Sequence, residues 1–425
     1  MYRSFLSAAA LAIALFGTAQ SYVHQVLVLN EGYYDFFGGT GQLVPVTLGS
    51  YDPATGAYTT VATITGPRFG TDVLVDGASI YVAADDRVLR YDADSYALLD
   101  ETAVPGVRKL AVWNDQLLIT RGELGGLSHY FEVRDKIDLS FLYSIAPADG
   151  LPFSVEDVLV HDNKAYLAVN NSFDWANLQG RIGAVDLVAQ TYGSEVDLGL
   201  DGLNPERLMV KDGVIYAFSN KDFTGSSISK LSNGGVDYVH NVALNSGCAA
   251  SALVGSKVYY MEYDQNKLAR FDITTESVLD TLAESPAVYG LIEDPINNVL
   301  YATTTDYFSS GELHVLDLDG QVQSTVAVSV SPGNMALDIR SSTGIAERGV
   351  ATFGVYPNPA TDRIALTGVL PVGSSTLVVC DALGQEVLRA QRSFAAAATV
   401  DITGLKPGMY IVRINGGTGV RFTKN

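Results

Sequence analysis

Short runs of alternating apolar and polar residues follow one another along most of the chain, separated by Gly, Pro, Asn and Asp. This pattern predicts short β-strands joined by tight turns. One apolar phrase recurs seven times at intervals of 37 to 54 residues, which is typical of a β-propeller with four strands per blade. The seven phrases are VLVLN (26–30), SIYVAADD (79–86), QLLITRG (116–122), KAYLAVN (164–170), VIYAFSN (214–220), KVYYMEYD (257–264) and VLYATTTD (299–306).

The residues around each phrase repeat as well. An apolar strand and a polar turn precede it, and a variable loop, two further strands and a Gly/Pro-rich corner follow it. We name the four strands A to D in chain order, so the phrase is strand B. The first unit has no strand A, whereas NMALDIR (334–340) is a surplus strand A at the far end. We therefore predict an all-β fold in which residues 22–340 form a seven-bladed propeller, closed by pairing of its last strand with its first blade. Two stacked β-sandwiches would not produce this complementary deficit and surplus.

The N-terminal residues have the pattern of a secretory signal peptide. Arg3 precedes an apolar run at 5–16, and residues 17–19 are small enough to suit cleavage. The run is too short to span a bilayer, and we expect no transmembrane segment elsewhere. We predict a signal peptide over 1–19, with a buried N-terminal helix as the alternative.

A second all-β pattern begins after the polar stretch at 341–352, which we predict to be a linker. Residues 353–425 have the strand lengths and turns of a small β-sandwich. Cys248 and Cys380 fall on either side of the linker, so we expect no disulfide between them.

The C-terminal region resembles the type A C-terminal sorting domain of the type IX secretion system. The resemblance rests on four motifs in order: YPNPATD (356–362), DALGQEV (381–387), LKPGMYIVRI (405–414) and the terminal RFTKN. It implies that residues 353–425 address the protein to an outer-membrane translocon. It also implies that the mature protein passes through the periplasm and ends at the cell outer membrane surface or in the medium. The ending is less basic than in many members, so no cleavage site is carried over. An accessory sandwich used for binding is the alternative.

The propeller region is similar, on less specific motifs, to secreted YVTN/YncE-like seven-bladed propellers. LNEG (29–32) with the Gly-rich loop after it, and the turn YDPATG (51–56), resemble a subset that includes surface propellers for cobalamin capture. Such blade motifs indicate the fold far more than they indicate the ligand.

The chain carries a net charge of −20 and has no basic cluster. Nucleic acids and anionic membrane surfaces would repel it, so we exclude nucleic-acid partners. The acidity suits solubility outside the cell.

Aromatic residues recur in the variable loops between strands B and C. In a propeller blade these loops emerge on the same face as the D–A corners, which add arginines and further aromatics. We predict that this loop face binds a ligand, because loops on a rigid scaffold carry recognition and aromatic and Arg side chains dominate binding contacts. The alternative is that the aromatics pack inward and cap the blades. The predicted ligand-binding residues are Tyr33, Tyr34, Phe36, Phe37, Arg68, Phe69, Arg108, Phe153, Phe173, Trp175, Arg207, Phe223, Tyr289, Tyr307 and Phe308.

The sequence contains no HExxH, GxSxG or phosphate-binding GxxxxGK[ST] motif. We therefore predict no catalytic residues, no metal site and no cofactor. Asp85, Asp86, Asp174 and Asp306 have oxygen ligands that suit Ca²⁺, although Asp in such turns more often forms local hydrogen bonds.

Three hypotheses on function follow. The leading one is a surface-displayed propeller that binds a small molecule such as a corrinoid, a glycan or a protein, without catalysis. The second is a metal-assisted hydrolase or lactonase, in which Glu31, Asn170, Asn220 and Asp306 converge on the central channel. The third is an adhesin with a broad exposed apolar patch.

Overall fold

The computed structural model describes residues 20–193, 195–221, 224–232, 234–242, 250–342, 353–368, 374–382, 384–393, 398–414 and 419–425. Ser21–Ser341 form one compact unit, and the described residues from Phe353 onward belong to a second. The predicted signal peptide, Phe223, Cys248 and most of the predicted linker lie outside the described residues.

The first unit contains seven antiparallel sheets of four or five strands and one two-stranded sheet, so the predicted seven-bladed propeller is confirmed. In each blade the strands run in order from strand A at the centre to strand D at the rim. A separate hairpin of β2 (Tyr33–Asp35) and β3 (Gly41–Val44) lies in the loop between the second and third strands of blade 1. Single 3₁₀ turns span Pro147–Asp149, Trp175–Asn177 and Leu200–Gly202. The blades are, in chain order: blade 1, β1 (Gln20–Asn30), β4 (Val46–Asp52) and β5 (Ala57–Ile64) with β31 (Pro332–Ser342); blade 2, β6 (Asp72–Asp76), β7 (Ser79–Ala84), β8 (Arg87–Asp92) and β9 (Leu98–Ala103); blade 3, β10 (Val107–Trp113), β11 (Gln116–Arg121), β12 (Phe131–Asp135) and β13 (Phe141–Ile145); blade 4, β14 (Val155–His161), β15 (Lys164–Val169), β16 (Arg181–Asp186), β17 (Thr191–Tyr192) and β18 (Val196–Asp197); blade 5, β19 (Pro205–Lys211), β20 (Val214–Ser219), β21 (Ser226–Ser232) and β22 (Gly235–Val242); blade 6, β23 (Ser251–Val254), β24 (Lys257–Glu262), β25 (Lys267–Asp272) and β26 (Ser277–Thr281); blade 7, β27 (Gly290–Asp294), β28 (Val299–Thr304), β29 (Ser310–Leu316) and β30 (Val322–Val330).

Tyrosines of the B strands join neighbouring blades. Tyr81 and Tyr259 have fully buried rings, and each hydroxyl donates to a backbone carbonyl of the next blade. Tyr81 Oη lies 2.8 Å from the carbonyl of Lys136, and Tyr259 Oη lies 2.8 Å from that of Leu318. The aromatic ring supplies apolar area to the core while its polar tip stays paired, which explains the many tyrosines in the repeated phrase.

Strand β31 closes the ring by pairing with β1, as the sequence predicts. A buried polar cluster holds this strand in place. Asp338, 1% exposed, accepts hydrogen bonds from Gln25 Nε2 at 3.0 Å and from Arg340 Nη2 at 2.7 Å. Gln25 also donates to the carbonyl of Ala93 in blade 2, and Arg340 pairs with Asp94 at 2.6 Å. The closing strand is thereby tied to two blades at once.

We expect Asp338→Ala to lower the free energy of unfolding by about 2–3 kcal/mol, because it removes the buried carboxylate that accepts hydrogen bonds from Gln25 Nε2 and from the Arg340 guanidinium. Asp94→Ala is the matched control: it removes the other carboxylate partner of Arg340 but at an exposed site, where an ion pair contributes about 0–1 kcal/mol. Urea denaturation of both variants measures the difference. Equal effects would show that the buried cluster does not fasten the ring.

The second unit is a small β-sandwich, as the sequence predicts. One sheet contains β32 (Phe353–Tyr356), β33 (Arg363–Gly368) and β36 (Ala398–Asp401); the other contains β34 (Ser374–Asp381), β35 (Glu386–Ser393), β37 (Gly408–Ile414) and β38 (Val420–Lys424). Alternate residues of the strands face inward and form a core that includes Ile364, Leu377, Val379, Val412 and Phe422.

Candidate binding cavity

A cavity of about 890 Å³ lies at the centre of the propeller. The A strands of all seven blades line it, and so do loops and corners of the loop face. Because these strands start at the loop face, side chains at their first positions lie on the part of the cavity wall nearest that face. The cavity-lining residues named below lie at these positions or on loops and corners of the loop face.

The described part of the cavity wall contains three cations, and two of them form ion pairs with carboxylates. Arg108 Nε and Nη2 donate to the two carboxylate oxygens of Glu156, both at 2.8 Å. Lys109 Nζ lies 3.6 Å from Asp72 Oδ1 and donates to the carbonyl of Thr71 at 3.0 Å. The third cation, Arg207, attracts the buried carboxyl of Asp157, and this attraction by itself favours a lower pKa of that carboxyl.

The pKa of Asp157 is raised above its ordinary value, chiefly because burial penalises the charged form. The positive charge of Arg207 only partly offsets this effect. The carboxyl accepts a hydrogen bond from the backbone N–H of Leu208 at 2.7 Å, which joins the A strands of blades 4 and 5.

Glu31 is one of two cavity glutamates that lack a direct cation partner among the described residues. The hydroxyl of Tyr289 lies 3.0 and 3.1 Å from its two oxygens and donates to the carboxyl group. Burial raises the pKa of Glu31 to about 7, against the lowering effects of the Tyr289 hydrogen bond and of Lys109 and Arg108. The group therefore titrates near neutral pH.

Glu206 is the second such glutamate. Burial, reinforced by the negative charge of Glu156, raises the pKa of Glu206 to about 8. One carboxyl oxygen accepts hydrogen bonds from the side-chain amides of Asn204 and Asn220, both at 3.3 Å. The other oxygen is buried and has no hydrogen-bond partner in the part of the chain that the structure describes. The carboxyl is thus held largely protonated at neutral pH.

Aromatic residues stand at the mouth of the cavity. Phe69, Phe173 and Trp175 all line it, and the indole of Trp175 is 68% exposed. The Arg108 guanidinium lies 5.5 Å from the centre of the Phe173 ring, so the same side chain that pairs with Glu156 also fixes an aromatic wall. We call Phe69, Phe173 and Trp175 the aromatic edge; it borders the polar wall of the cavity.

A smaller pocket of about 140 Å³ adjoins this edge. It is lined by Phe36 and Arg68 and shares Phe69, Arg108 and Phe173 with the main cavity. Arg68 contacts Asp85 and Glu123 and lies 5.4 Å from the centre of the Phe69 ring.

The structure brings together part of the predicted site. Arg207 and Tyr289 line the main cavity with Phe69, Arg108, Phe173 and Trp175, while Phe36 and Arg68 line the smaller pocket. The remaining predicted residues lie elsewhere: Tyr33 packs against Phe308, Tyr34 against Phe36 and Tyr307 against Tyr289, Phe37 is fully exposed, Phe153 lies beneath Arg181 on the core of blades 3 and 4, and Phe223 is outside the described residues.

Sequence reasoning missed most of the polar wall. Lys109, Glu156, Asp157 and Glu206 were not predicted, although each is charged at the start of an otherwise apolar A strand. A charged residue at that position of a propeller repeat faces the central channel, and this signal could have identified them.

The carboxylates suggested for Ca²⁺ form local hydrogen bonds and ion pairs. Asp306 is exposed and accepts the backbone N–H groups of Phe308 and Ser309 at 2.9 and 2.7 Å, which lowers its pKa to about 2. Asp174 accepts from the Asn177 amide, and Asp85 holds Arg68. Among the described residues, no cluster of three or more His, Cys, Asp or Glu side chains is arranged to hold a metal ion.

Residues 354–425 match the family described as the secretion system C-terminal sorting domain. The C-terminal unit is a sorting domain. It indicates export by the type IX secretion system, interaction with that system, and a secreted, cell-surface or extracellular protein. Along the part of the chain that the structure describes, no helix has the length and apolar character needed to cross a membrane.

Several solved structures share the overall fold at low sequence identity. A hypothetical selenium-binding protein from Sulfolobus tokodaii has a TM-score of 0.56 and 11% identity, over 76% of this chain and 95% of that protein. A putative 6-phosphogluconolactonase from Bacteroides fragilis has a TM-score of 0.51 and 12% identity, over 74% of this chain and 98% of that protein. The extracellular domain of a putative one component system from B. thetaiotaomicron has a TM-score of 0.51 and 11% identity, over 94% of this chain and 57% of that protein. These likenesses concern the fold alone. No curated protein matches the sequence.

Proposed function

We propose that the propeller is a binding module, displayed at the outer-membrane surface after type IX export, that takes a ligand into its central cavity from the loop face. The observation that carries this proposal is the cavity of about 890 Å³ with Phe69, Phe173 and Trp175 at its mouth. Pockets for organic ligands have volumes of about 300–1,000 Å³ and combine apolar walls with a few placed polar groups.

The internal pairing of charges supports binding over metal-assisted hydrolysis. Arg108 is held by Glu156, and Asp306 is engaged in its own turn. Such pairs fix side chains in one orientation before a ligand arrives, which lowers the cost of association.

The candidate ligands are a small molecule, of which a corrinoid is one, a glycan or a protein. The corrinoid hypothesis rests on the resemblance of the LNEG loop to cobalamin-capture propellers within the YVTN/YncE-like group. A concave cavity favours a small molecule or a short glycan over a flat protein surface.

A catalytic alternative is favoured by one specific observation. Glu31 and Glu206 have pKa values raised to about 7 and about 8, and a carboxyl group that titrates near neutral pH is suited to general acid–base catalysis. Hydrolysis of lactone or ester substrates that disappears in Glu206→Gln and not in Asp306→Asn would establish this alternative.

The binding proposal is tested by thermal shift of the full mature chain against cyanocobalamin, oligosaccharides, peptides, and Ca²⁺ with and without chelator. A ligand at a hundredfold excess over its dissociation constant stabilises the folded state by about 2.7 kcal/mol. We expect an organic compound to raise the melting temperature.

We expect Phe173→Ala to weaken that ligand at least tenfold, because it removes an aromatic wall at the cavity mouth. Phe141→Ala, which removes another half-exposed ring of the propeller outside the cavity, is the matched control and should bind normally. Equal loss in both variants, or no shift with any compound, would contradict the proposed function.

A further inference from the structure

We propose that the central cavity binds a neutral, polyhydroxylated ligand, that is, a sugar or a short oligosaccharide. This inference rests on the proposed binding function and names the ligand class of the same site. Three independent features of the cavity lead to it: the balance of its charges, the mixture of its hydrogen-bonding groups and the aromatic edge.

The charge balance disfavours an anion. Among the residues described, the cavity wall contains five carboxyl groups and only three cations; Arg108 and Lys109 each lie within 4 Å of a carboxylate, and Arg207 is attracted to the buried carboxyl of Asp157. No surplus positive charge is left to compensate a phosphate or carboxylate ligand. At neutral pH burial keeps Glu206 largely protonated and Glu31 about half protonated, so these two carboxyls add little negative charge to the wall. A neutral polar ligand therefore meets no electrostatic penalty.

The hydrogen-bonding groups suit hydroxyls. A sugar hydroxyl donates one hydrogen bond and accepts others, and a protonated carboxyl or an amide offers both roles within one planar group. Asn170 lines the cavity, is 1% exposed, and its side-chain nitrogen has no hydrogen-bond partner among the described residues. One oxygen of Glu206 is likewise buried without a partner in that part of the chain. Unmet polar groups of this kind, from blades 4 and 5, mark a place where an uncharged polar ligand gains hydrogen bonds.

The aromatic edge suits the apolar face of a sugar ring. Pyranose rings present C–H groups on one face, which pack against aromatic side chains, and hydroxyls around the perimeter. Trp175 is exposed at the mouth of the cavity, and Phe173 is fixed there by Arg108. A ring that rests on this edge directs its hydroxyls toward the polar wall below.

The two tryptophans of the chain provide a built-in test. Trp175 stands at the loop face, whereas Trp113 ends β10, five residues or about 17 Å along the strand from Arg108 on the cavity wall. In Trp113→Phe the only remaining tryptophan reports on the cavity mouth. In Trp175→Phe the remaining one reports on the far end of the blade.

The experiment titrates both full-length variants with neutral hexasaccharides of glucose, mannose, galactose and xylose, up to about 10 mM. Oligogalacturonate serves as the anionic probe, chitosan oligosaccharide as the cationic probe and cyanocobalamin as the corrinoid probe. We expect a saturable change in Trp175 emission with at least one neutral hexasaccharide and no change in Trp113 emission. We also expect at least a tenfold loss of affinity in Asn170→Ala made in the Trp113→Phe background.

Each other outcome overturns the inference in a distinguishable way. A response only to oligogalacturonate, chitosan oligosaccharide or cyanocobalamin would reject the neutral sugar and keep the proposed binding function. No change in Trp175 emission with any sugar, together with a thermal shift by another compound, would likewise reject the neutral sugar and keep the proposed binding function. No change in Trp175 emission and no thermal shift with any compound would reject the proposed function as well. A sugar response seen only at Trp113 would place binding outside the cavity and reject the inference.

Discussion

Deletion of residues 354–425 should abolish export and leave the propeller in the periplasm. The sorting domain is a compact unit of its own, and the propeller closes its ring with β31, which lies before the deleted segment. The shortened chain therefore keeps every blade strand but loses the segment that engages the secretion system. Immunoblots of periplasmic, surface and medium fractions measure the result, and we expect the surface and medium signals to fall to background.

A propeller variant in the intact chain controls for folding defects. Trp175→Ala changes an exposed loop residue and should be exported like the wild type. Fusion of residues 354–425 to an unrelated periplasmic protein should carry that protein out of the cell. Normal export of the shortened chain would contradict the assignment of the export signal to these residues.

The free energy of unfolding of the propeller should fall as the pH rises from about 5 to about 8, and Glu206→Gln should make this fall smaller. Burial raises the pKa of Glu206 from 4.5 to about 8. Between these values the folded protein retains a proton that the unfolded chain releases, so each pH unit lowers the free energy of unfolding by up to about 1.4 kcal/mol. Glutamine cannot ionise, so the variant should gain on the order of 3–4 kcal/mol relative to wild type across this range.

Glu31→Gln provides a matched comparison. Its pKa is raised to about 7, so its advantage over wild type should level off about one pH unit earlier. Urea denaturation followed by tryptophan fluorescence reports on the propeller alone, because Trp113 and Trp175 are the only tryptophans and both lie within Ser21–Ser341. A difference between Glu206→Gln and wild type that does not change with pH would contradict the burial of that carboxyl.

The repeat pattern was sufficient for the fold because a propeller is built from local units. Each repeated phrase became a B strand, and the surplus strand at 334–340 predicted the closure by β31. The pattern did not predict the hydrogen bond between Gln25 and Asp338, because these residues are 313 positions apart and the repeat predicts which strands pair but not which polar side chains meet.

The candidate site was predicted only in part, for a physical reason. Aromatic loop residues are conspicuous in sequence, but whether a ring faces the cavity depends on its loop neighbours: Phe173 lies beside Arg108 at the mouth, whereas Phe153 packs beneath Arg181. The polar wall depends on the convergence of A strands from different blades. The proximity of Glu206 to Glu156 is a property of that assembly.

Amide hydrogen exchange of the full chain, with and without an organic ligand that raises its melting temperature, tests the central claim most directly. The account predicts slower exchange in the loop-face segments 68–71, 105–110 and 170–180, which border the cavity. It predicts no change in the opposite turns at 76–79 and 113–116 or in residues 354–425. Protection confined to those turns or to the sorting domain would contradict binding through the loop face.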